Sequence, residues 1–128
     1  MTVLVDSDIL IEVLRGRDAE IVSQWTAFSE SEAAVLYSTV SEAELWGGVR
    51  TGEERALENL FRALQCVLID AEIGRMTGAY LLKYRKSHSL EIADALIAAS
   101  AVASGSLLWT RNRKHYPMPE VSFFGRVN

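Results

Sequence analysis

Four polar stretches of this sequence could carry chemistry, and carboxylates dominate three of them. Asp6 follows the β-branched run Thr2-Val3-Leu4-Val5 and precedes Ser7 and Asp8. In parallel α/β proteins, ligands bind just beyond the carboxyl ends of the strands, which is where Asp6 would stand. Asp6, Ser7 or Asp8 could equally cap the following helix, a common duty for these residue types. Asp94 lies within Ile92-Ala93-Asp94-Ala95-Leu96-Ile97-Ala98-Ala99 and shares a helical face with Ile97, Ala98 and Ala101. A carboxylate buried on such a face must be protonated, paired or bound to metal. A salt bridge to Arg111 or another base, or a place in the helix's first turn, would also account for it. Ser41-Glu42-Ala43-Glu44-Leu45 supplies two more acids. Ser41 with Glu44, or Thr39 with Glu42, would make a capping box, and the second choice leaves Glu44 free. The fourth stretch is Thr110-Arg111-Asn112-Arg113-Lys114-His115. There Thr110 and Asn112 could orient a carboxylate or a metal-bound water. Arg111, Arg113 and Lys114 suit phosphates, unless they form an ordinary solvated turn.

These residues need elements to position them. Thr2 to Val5 has the composition of a buried strand. Apolar spacing predicts helices from Ile9 to Leu14, ending near Gly16, and from Asp18 to Phe28. Ala34 to Tyr37 is strand-like, and a helix from about Ser41 stops near Gly47-Gly48. Glu53 to Leu64 follows as a helix, then a strand at Val67 to Ile69. Asp70 is placed to cap a helix reaching about Lys86. Ile92 to Ala103 predicts a helix apolar nearly all round and hence buried, with Gly105 ending it. Leu107 to Trp109 is a fourth strand, and Val121 to Phe124 a possible edge strand beyond Pro117 and Pro119. Strands that alternate with helices imply a largely parallel α/β sandwich.

Bulk composition narrows the classes. The 128 residues are expected to form one domain, 1–128, and 49% hydrophobic with 23% charged residues is a globular balance. The single cysteine, Cys66, excludes an intramolecular disulfide. Its apolar setting, Cys66-Val67-Leu68-Ile69, predicts a buried, inert thiol. His88 and His115 lie too far apart for a structural zinc site. The N-terminus lacks the pattern of a secretory signal, and the most apolar segment, Ile92 to Val102, is too short to span a bilayer. A cytoplasmic protein with no membrane contact is therefore expected. The sequence also lacks a Walker loop, a dinucleotide-binding glycine fingerprint and a convincing nucleophile–histidine pair.

Together, Asp6, Glu44, Asp94 and Asn112 resemble the active-site pattern of PIN-domain ribonucleases, most closely the VapC toxins of toxin–antitoxin pairs. The matching pieces are Asp6-Ser7-Asp8-Ile9-Leu10, Ser41-x-x-Glu44-Leu45 with Gly48 nearby, Asp94-Ala95-Leu96-Ile97-Ala98-Ala99, Thr110-Arg111-Asn112 and Tyr116-Pro117-Met118. They hold their order from the first strand to the tail. The resemblance implies a PIN-like α/β/α sandwich around a mostly parallel sheet of four to five strands. It departs in one respect. Many relatives carry an acidic residue after the last strand, at the Asn112 position or three residues on, where this chain has His115. Three firm carboxylates remain, which weighs against a tightly held second ion.

The activity so implied is a metal-dependent endoribonuclease using Mg²⁺, with Mn²⁺ as a substitute. Asp6, Asp94 and Glu44 would hold the metal, or Glu44 would help deprotonate the attacking water. Asn112 would position a water or the phosphate, with Thr110, Arg111 and Arg113 toward the RNA substrate. The resemblance further implies a homodimer and a heterotetramer or larger complex with a cognate antitoxin. Trp46 and the first helices are expected to offer apolar surface for such contacts. The net charge of -4 argues against broad, nonspecific nucleic-acid binding but not against a nuclease with acidic metal ligands. Two other readings compete. Asp6-Ser7-Asp8 superficially resembles haloacid-dehalogenase-type phosphatases, although no late acidic pair follows. Asn112 and His115 would also suit a PIN-like RNA-binding module that has lost catalysis.

Overall fold

A computed structural model describes residues 1–125. Its four strands are β1 (Thr2–Val5), β2 (Ala34–Ser38), β3 (Gln65–Val67) and β4 (Leu107–Trp109). They form one sheet in the order β3-β2-β1-β4, with every pairing parallel. Parallel neighbours need crossovers, and helices supply them. The helices α1 (Ser7–Arg15) and α2 (Ala19–Ser29) connect β1 to β2, and α3 (Thr39–Gly47) and α4 (Glu54–Arg62) connect β2 to β3. The third crossover, α5 (Ala71–His88) and α6 (Ile92–Ala103), carries the chain back across the sheet to β4, beside β1.

Alternation along the strands divides the core. Leu4 and Leu108 face one side with Leu81, Tyr84, Ala95, Ile97 and Ala98 of α5 and α6. Val3, Val5 and Trp109 face the other with Ile9, Leu10, Ile21, Leu45, Leu57 and Phe61 of α1 to α4. The result is three layers, helices on both faces of the sheet, as the strand–helix alternation predicts. No helix among the described residues is long and apolar enough to cross a membrane.

Local chemistry sets the boundaries. Asp18 and Asp70 cap α2 and α5 by accepting backbone N–H groups two or three residues ahead. Gly16 ends α1 with φ of 64°, a left-handed conformation that favours glycine. The cap of α3 is Ser38, whose hydroxyl accepts from Val40 N, so neither expected capping box forms. Glu42 instead accepts from the Tyr37 hydroxyl and the Trp46 indole.

Three other expectations need correcting. β3 begins two residues early and is an exposed edge strand, so Cys66 is exposed rather than buried, and Leu68 beyond it is 73% exposed. The tail reaches the sheet only through two backbone hydrogen bonds to Leu108 and a single bridge to Phe123, leaving four strands. The helix α6 buries Ala95 and Ile97 to Ala101 but exposes Ile92.

Candidate functional site

The chain leaves β1 toward β2 and returns, through β3, to β4 on the other side of β1. The crevice between the carboxyl ends of β1 and β4 is therefore the topological switch point, the place where open α/β sheets bind ligands. Asp6 stands at the end of β1, its N–H donating to Trp109 O and extending the ladder by one step. One carboxylate oxygen accepts from Ser7 N (2.7 Å) at the start of α1. The other accepts from the Thr110 hydroxyl (2.8 Å) and the Tyr116 hydroxyl (2.7 Å). Asp6 thus caps the helix with one oxygen and faces the crevice with the other.

Tyr116 links this carboxylate to the next. Its hydroxyl also lies 3.4 Å from Asp94 Oδ1, and its ring is buried in the core beneath α6. Burial and the adjacent Asp6 push the Tyr116 hydroxyl far above its ordinary pKa, so it stays a proton donor. Asp94 occupies the first turn of α6, with its side chain 28% exposed rather than sunk in an apolar face. His115 Nδ1 lies 3.6 Å from its other oxygen. Partial burial and the negative charge of Asp6 raise the Asp94 pKa, and Glu44 adds to the effect while His115 opposes it. Three carboxylates therefore feel one another across the crevice mouth.

Glu44 is held from a different direction. Ser7 Oγ donates to Glu44 Oε1 (2.7 Å) and lies 2.8 Å from the hydroxyl of Ser41, which is fully buried. Ser7 has one proton, given to Glu44, so Ser41 must donate to Ser7. This relay ties the first turn of α1 to α3 and leaves Glu44 at the solvent end.

The turn after β4 closes the other side. Thr110 Oγ accepts from Asn112 N (3.0 Å), while Asp8 accepts from both Arg111 N (3.1 Å) and Asn112 Nδ2 (2.9 Å). Burial, and next the charge of Asp6, raise the Asp8 carboxyl to about 6. The second oxygen of Asp8 is buried and has no hydrogen-bond partner among the described residues. Behind the turn, the buried Glu12 pairs with Arg17 (2.7 Å) and with Arg111 (3.2 Å). Thr110, Arg111 and Arg113 line a groove of about 830 Å³ that continues along α2 past Asp18, Glu20 and Gln24. Arg113 is already engaged there by the Phe124 and Gly125 carbonyls.

The structure thus gathers Asp6, Asp94, Thr110 and Asn112 at one crevice, with Glu44 at its rim. Sequence reasoning gave Asp8 and Tyr116 no role at the site, although both lie in the segments that carry the resemblance, and passed over Glu12. Glu12, a lone acid among Ile9, Leu10 and Val13, was the detectable one. The partner of Tyr116 is 110 positions away, and no local pattern signals it.

The donor set is chemically suited to a hard cation, being carboxylate oxygens whose mutual repulsion a positive ion would relieve. Among the described residues no three Asp, Glu, His or Cys side chains converge on one point. Magnesium, which keeps several waters and takes one or two carboxylates, does not require that.

Residues 3–121 match the PIN domain family. Ribonuclease VapC10 of Mycobacterium tuberculosis is 38% identical over 119 residues, covering 92% of this chain and 88% of that protein. Ribonuclease VapC19 of the same organism is 35% identical over 116 residues, covering 90% and 92%. Among solved structures, a toxin–antitoxin complex from Klebsiella pneumoniae superposes with a TM-score of 0.72 at 26% identity, covering 93% of this chain and 94% of that one. The phosphatase reading loses its footing, since the family match is to the PIN domain. With four parallel strands, a switch-point crevice lined by acids and relatives aligned over nearly the whole length, the chain belongs to the PIN-domain family and, within it, to the VapC ribonuclease toxins of toxin–antitoxin systems.

Proposed function

We propose that this chain is a magnesium-dependent endoribonuclease whose cleavage centre is built from Asp6, Glu44, Asp94 and Asn112. The observation that carries the proposal is the meeting of Asp6 and Asp94 on the Tyr116 hydroxyl at the sheet's switch point. Asp6 and Asp94 would hold the ion, directly or through water, with Glu44 completing the set. A bound Mg²⁺ or Mn²⁺ supplies a nucleophilic hydroxide at neutral pH and neutralises charge developing on the phosphate.

The protein's own groups do the rest. Thr110 and Tyr116 fix the Asp6 carboxylate by hydrogen bonding. Glu44, at the solvent end of the Ser41–Ser7 relay, is placed to accept a proton from water. Asn112 orients a water or the scissile phosphate. Arg111, half-exposed beside the groove, offers its guanidinium to backbone phosphates, and Glu12 restrains it. The toxin acts in the cytoplasm, where a cognate antitoxin holds it in check. The proposed assembly is a homodimer that antitoxin joins into a heterotetramer or larger complex, a reading supported by the likeness to the Klebsiella toxin–antitoxin complex.

The test is cleavage of total cellular RNA by purified, antitoxin-free protein with Mg²⁺ or Mn²⁺, with EDTA, and with Asp94→Asn alongside. Discrete fragments that disappear with EDTA and with the variant support the proposal. Undiminished cleavage by the variant places the site elsewhere. RNA binding without metal-dependent cleavage would establish instead a PIN-like RNA-binding module.

A further inference from the structure

We propose that Asp8 is a positioning residue of the cleavage site, whose carboxylate sets the orientation of the Asn112 side chain. The inference rests on the cleavage reading above and goes beyond it. Asp8 lies in the first turn of α1, two positions after Asp6 and 104 before Asn112. One oxygen of its carboxylate accepts from Asn112 Nδ2 (2.9 Å) and from the backbone N–H of Arg111 (3.1 Å). The donors belong to consecutive residues of the turn after β4, so a single atom restrains both the turn's backbone and the asparagine's side chain.

That contact also selects one of the two ways an asparagine amide can face. An ionised carboxylate only accepts hydrogen bonds. Flipping the amide would bring its carbonyl oxygen against the Asp8 oxygen at the same short distance, oxygen against oxygen. Asn112 therefore keeps its NH₂ on Asp8 and turns its carbonyl oxygen away from it. From the opposite side, Asn112 N donates to Thr110 Oγ, and Thr110 donates to Asp6. Two carboxylates at the head of one helix thus pin the same turn, Asp6 through Thr110 and Asp8 directly.

Stability does not explain Asp8. Its second oxygen is the buried side-chain atom without a partner among the described residues, an arrangement that lowers stability. A neutral acceptor of the same shape would make both observed hydrogen bonds without burying a charge. A role in presenting Asn112 gives the carboxylate a purpose at the site.

Two measurements test the proposal. In ¹⁵N-labelled protein, the Asn112 side-chain NH₂ pair is identified by its loss in Asn112→Ala and followed in Asp8→Ala and Asp8→Asn. We expect a shifted, slowly exchanging pair in the wild type and in Asp8→Asn, which keeps the acceptor. In Asp8→Ala the pair should collapse to the position of a free amide. In parallel, initial rates of Mg²⁺-dependent cleavage of total cellular RNA should fall at least tenfold in Asp8→Ala and in Asn112→Ala. They should stay within threefold of wild type in Asp8→Asn, and fall no further in the double alanine variant than in either single one. Asp8→Ser, too short to reach Asn112, repeats both measurements should the alanine variant not fold. An NH₂ pair indifferent to Asp8→Ala, or alanine effects that multiply, overturns the proposal. A wild type that cuts no RNA overturns the cleavage reading and the catalytic half of this one, while the NMR measurement decides the positioning half on its own.

Discussion

All four strands point the same way, so their carboxyl ends share one rim, yet the two halves of that rim differ. At the β1–β4 half, Asp6, Thr110, Asn112 and Tyr116 are interlocked, and Thr110 and Tyr116 are buried. At the β2–β3 half, Ser38 and Thr39 begin a helix, and beyond β3 the chain exposes Leu68 and Ile69. Each half holds one inner and one edge strand, so the cause is the switch point between β1 and β4. Asp6 is buried at the end of β1 and collects three donors that offset its burial. At the other half the Thr39 hydroxyl donates to Val67 O, while Gln65 and Cys66 are exposed to water. Chemistry accumulates where the chain reverses across the sheet and desolvation makes polar groups depend on one another.

The comparison can be broken at its strongest point first. Asp94→Asn should lower Mg²⁺-dependent RNA cleavage on the order of a thousandfold, the scale of losing a group that positions the ion, while the protein stays folded by circular dichroism. Retained cleavage would remove the crevice from the chemistry.

Asp8 gives the next largest effect, with a sign set by pH. Burial and Asp6 lift its carboxyl to about 6 from 3.8, so the folded protein holds that proton more tightly than the unfolded chain. The cost of ionising it is absent below about pH 3.8, grows between 3.8 and 6, and is fully present above. In EDTA, Asp8→Asn should therefore be more favourable to stability at pH 7 than near pH 3.5, by up to about 3 kcal/mol. Denaturant unfolding at the two pH values measures both.

Tyr116→Phe removes one of the three donors to Asp6 and the only hydroxyl shared with Asp94 among the described residues. It should cost about 1–2 kcal/mol of stability, because the lost hydrogen bond goes to a buried carboxyl oxygen. Added Mg²⁺ should recover part of the melting temperature. The smallest effect belongs to the other half of the rim. Cys66→Ser should shift stability by less than about 0.5 kcal/mol, and Cys66 in the native protein should react readily with a thiol reagent.

How much of this was legible depended on whether a residue's partners were near in sequence. The spans Ile92–Ala103 and Leu107–Trp109, and the capping by Asp70, agree with the reading from periodicity and cap chemistry, which are local signals. The register of β3 was misread because Leu68 and Ile69 are apolar by composition and exposed by topology. The α3 cap was misread because Ser38, Thr39 and Ser41 are all competent caps, and only the end of β2 decides among them. At the site, Asp6, Glu44, Asp94 and Asn112 were recognisable as a pattern of types in order. Asp8 and Tyr116 lay in the matching segments, but their roles were not legible, since one looks like a helix cap and the other like core until the chain is folded.

The strand order has a consequence for when this protein becomes itself. Asp6 is hydrogen-bonded to residues 104 and 110 positions later, so its site needs both ends of the described chain. At common rates of synthesis, roughly 5 to 20 seconds separate Asp6 from Thr110 on the ribosome. Until β4 emerges and inserts beside β1, the nascent chain has its acids but no crevice. The proposed cleavage centre is thus incomplete while the chain is being made, and products truncated before β4 should not cut RNA.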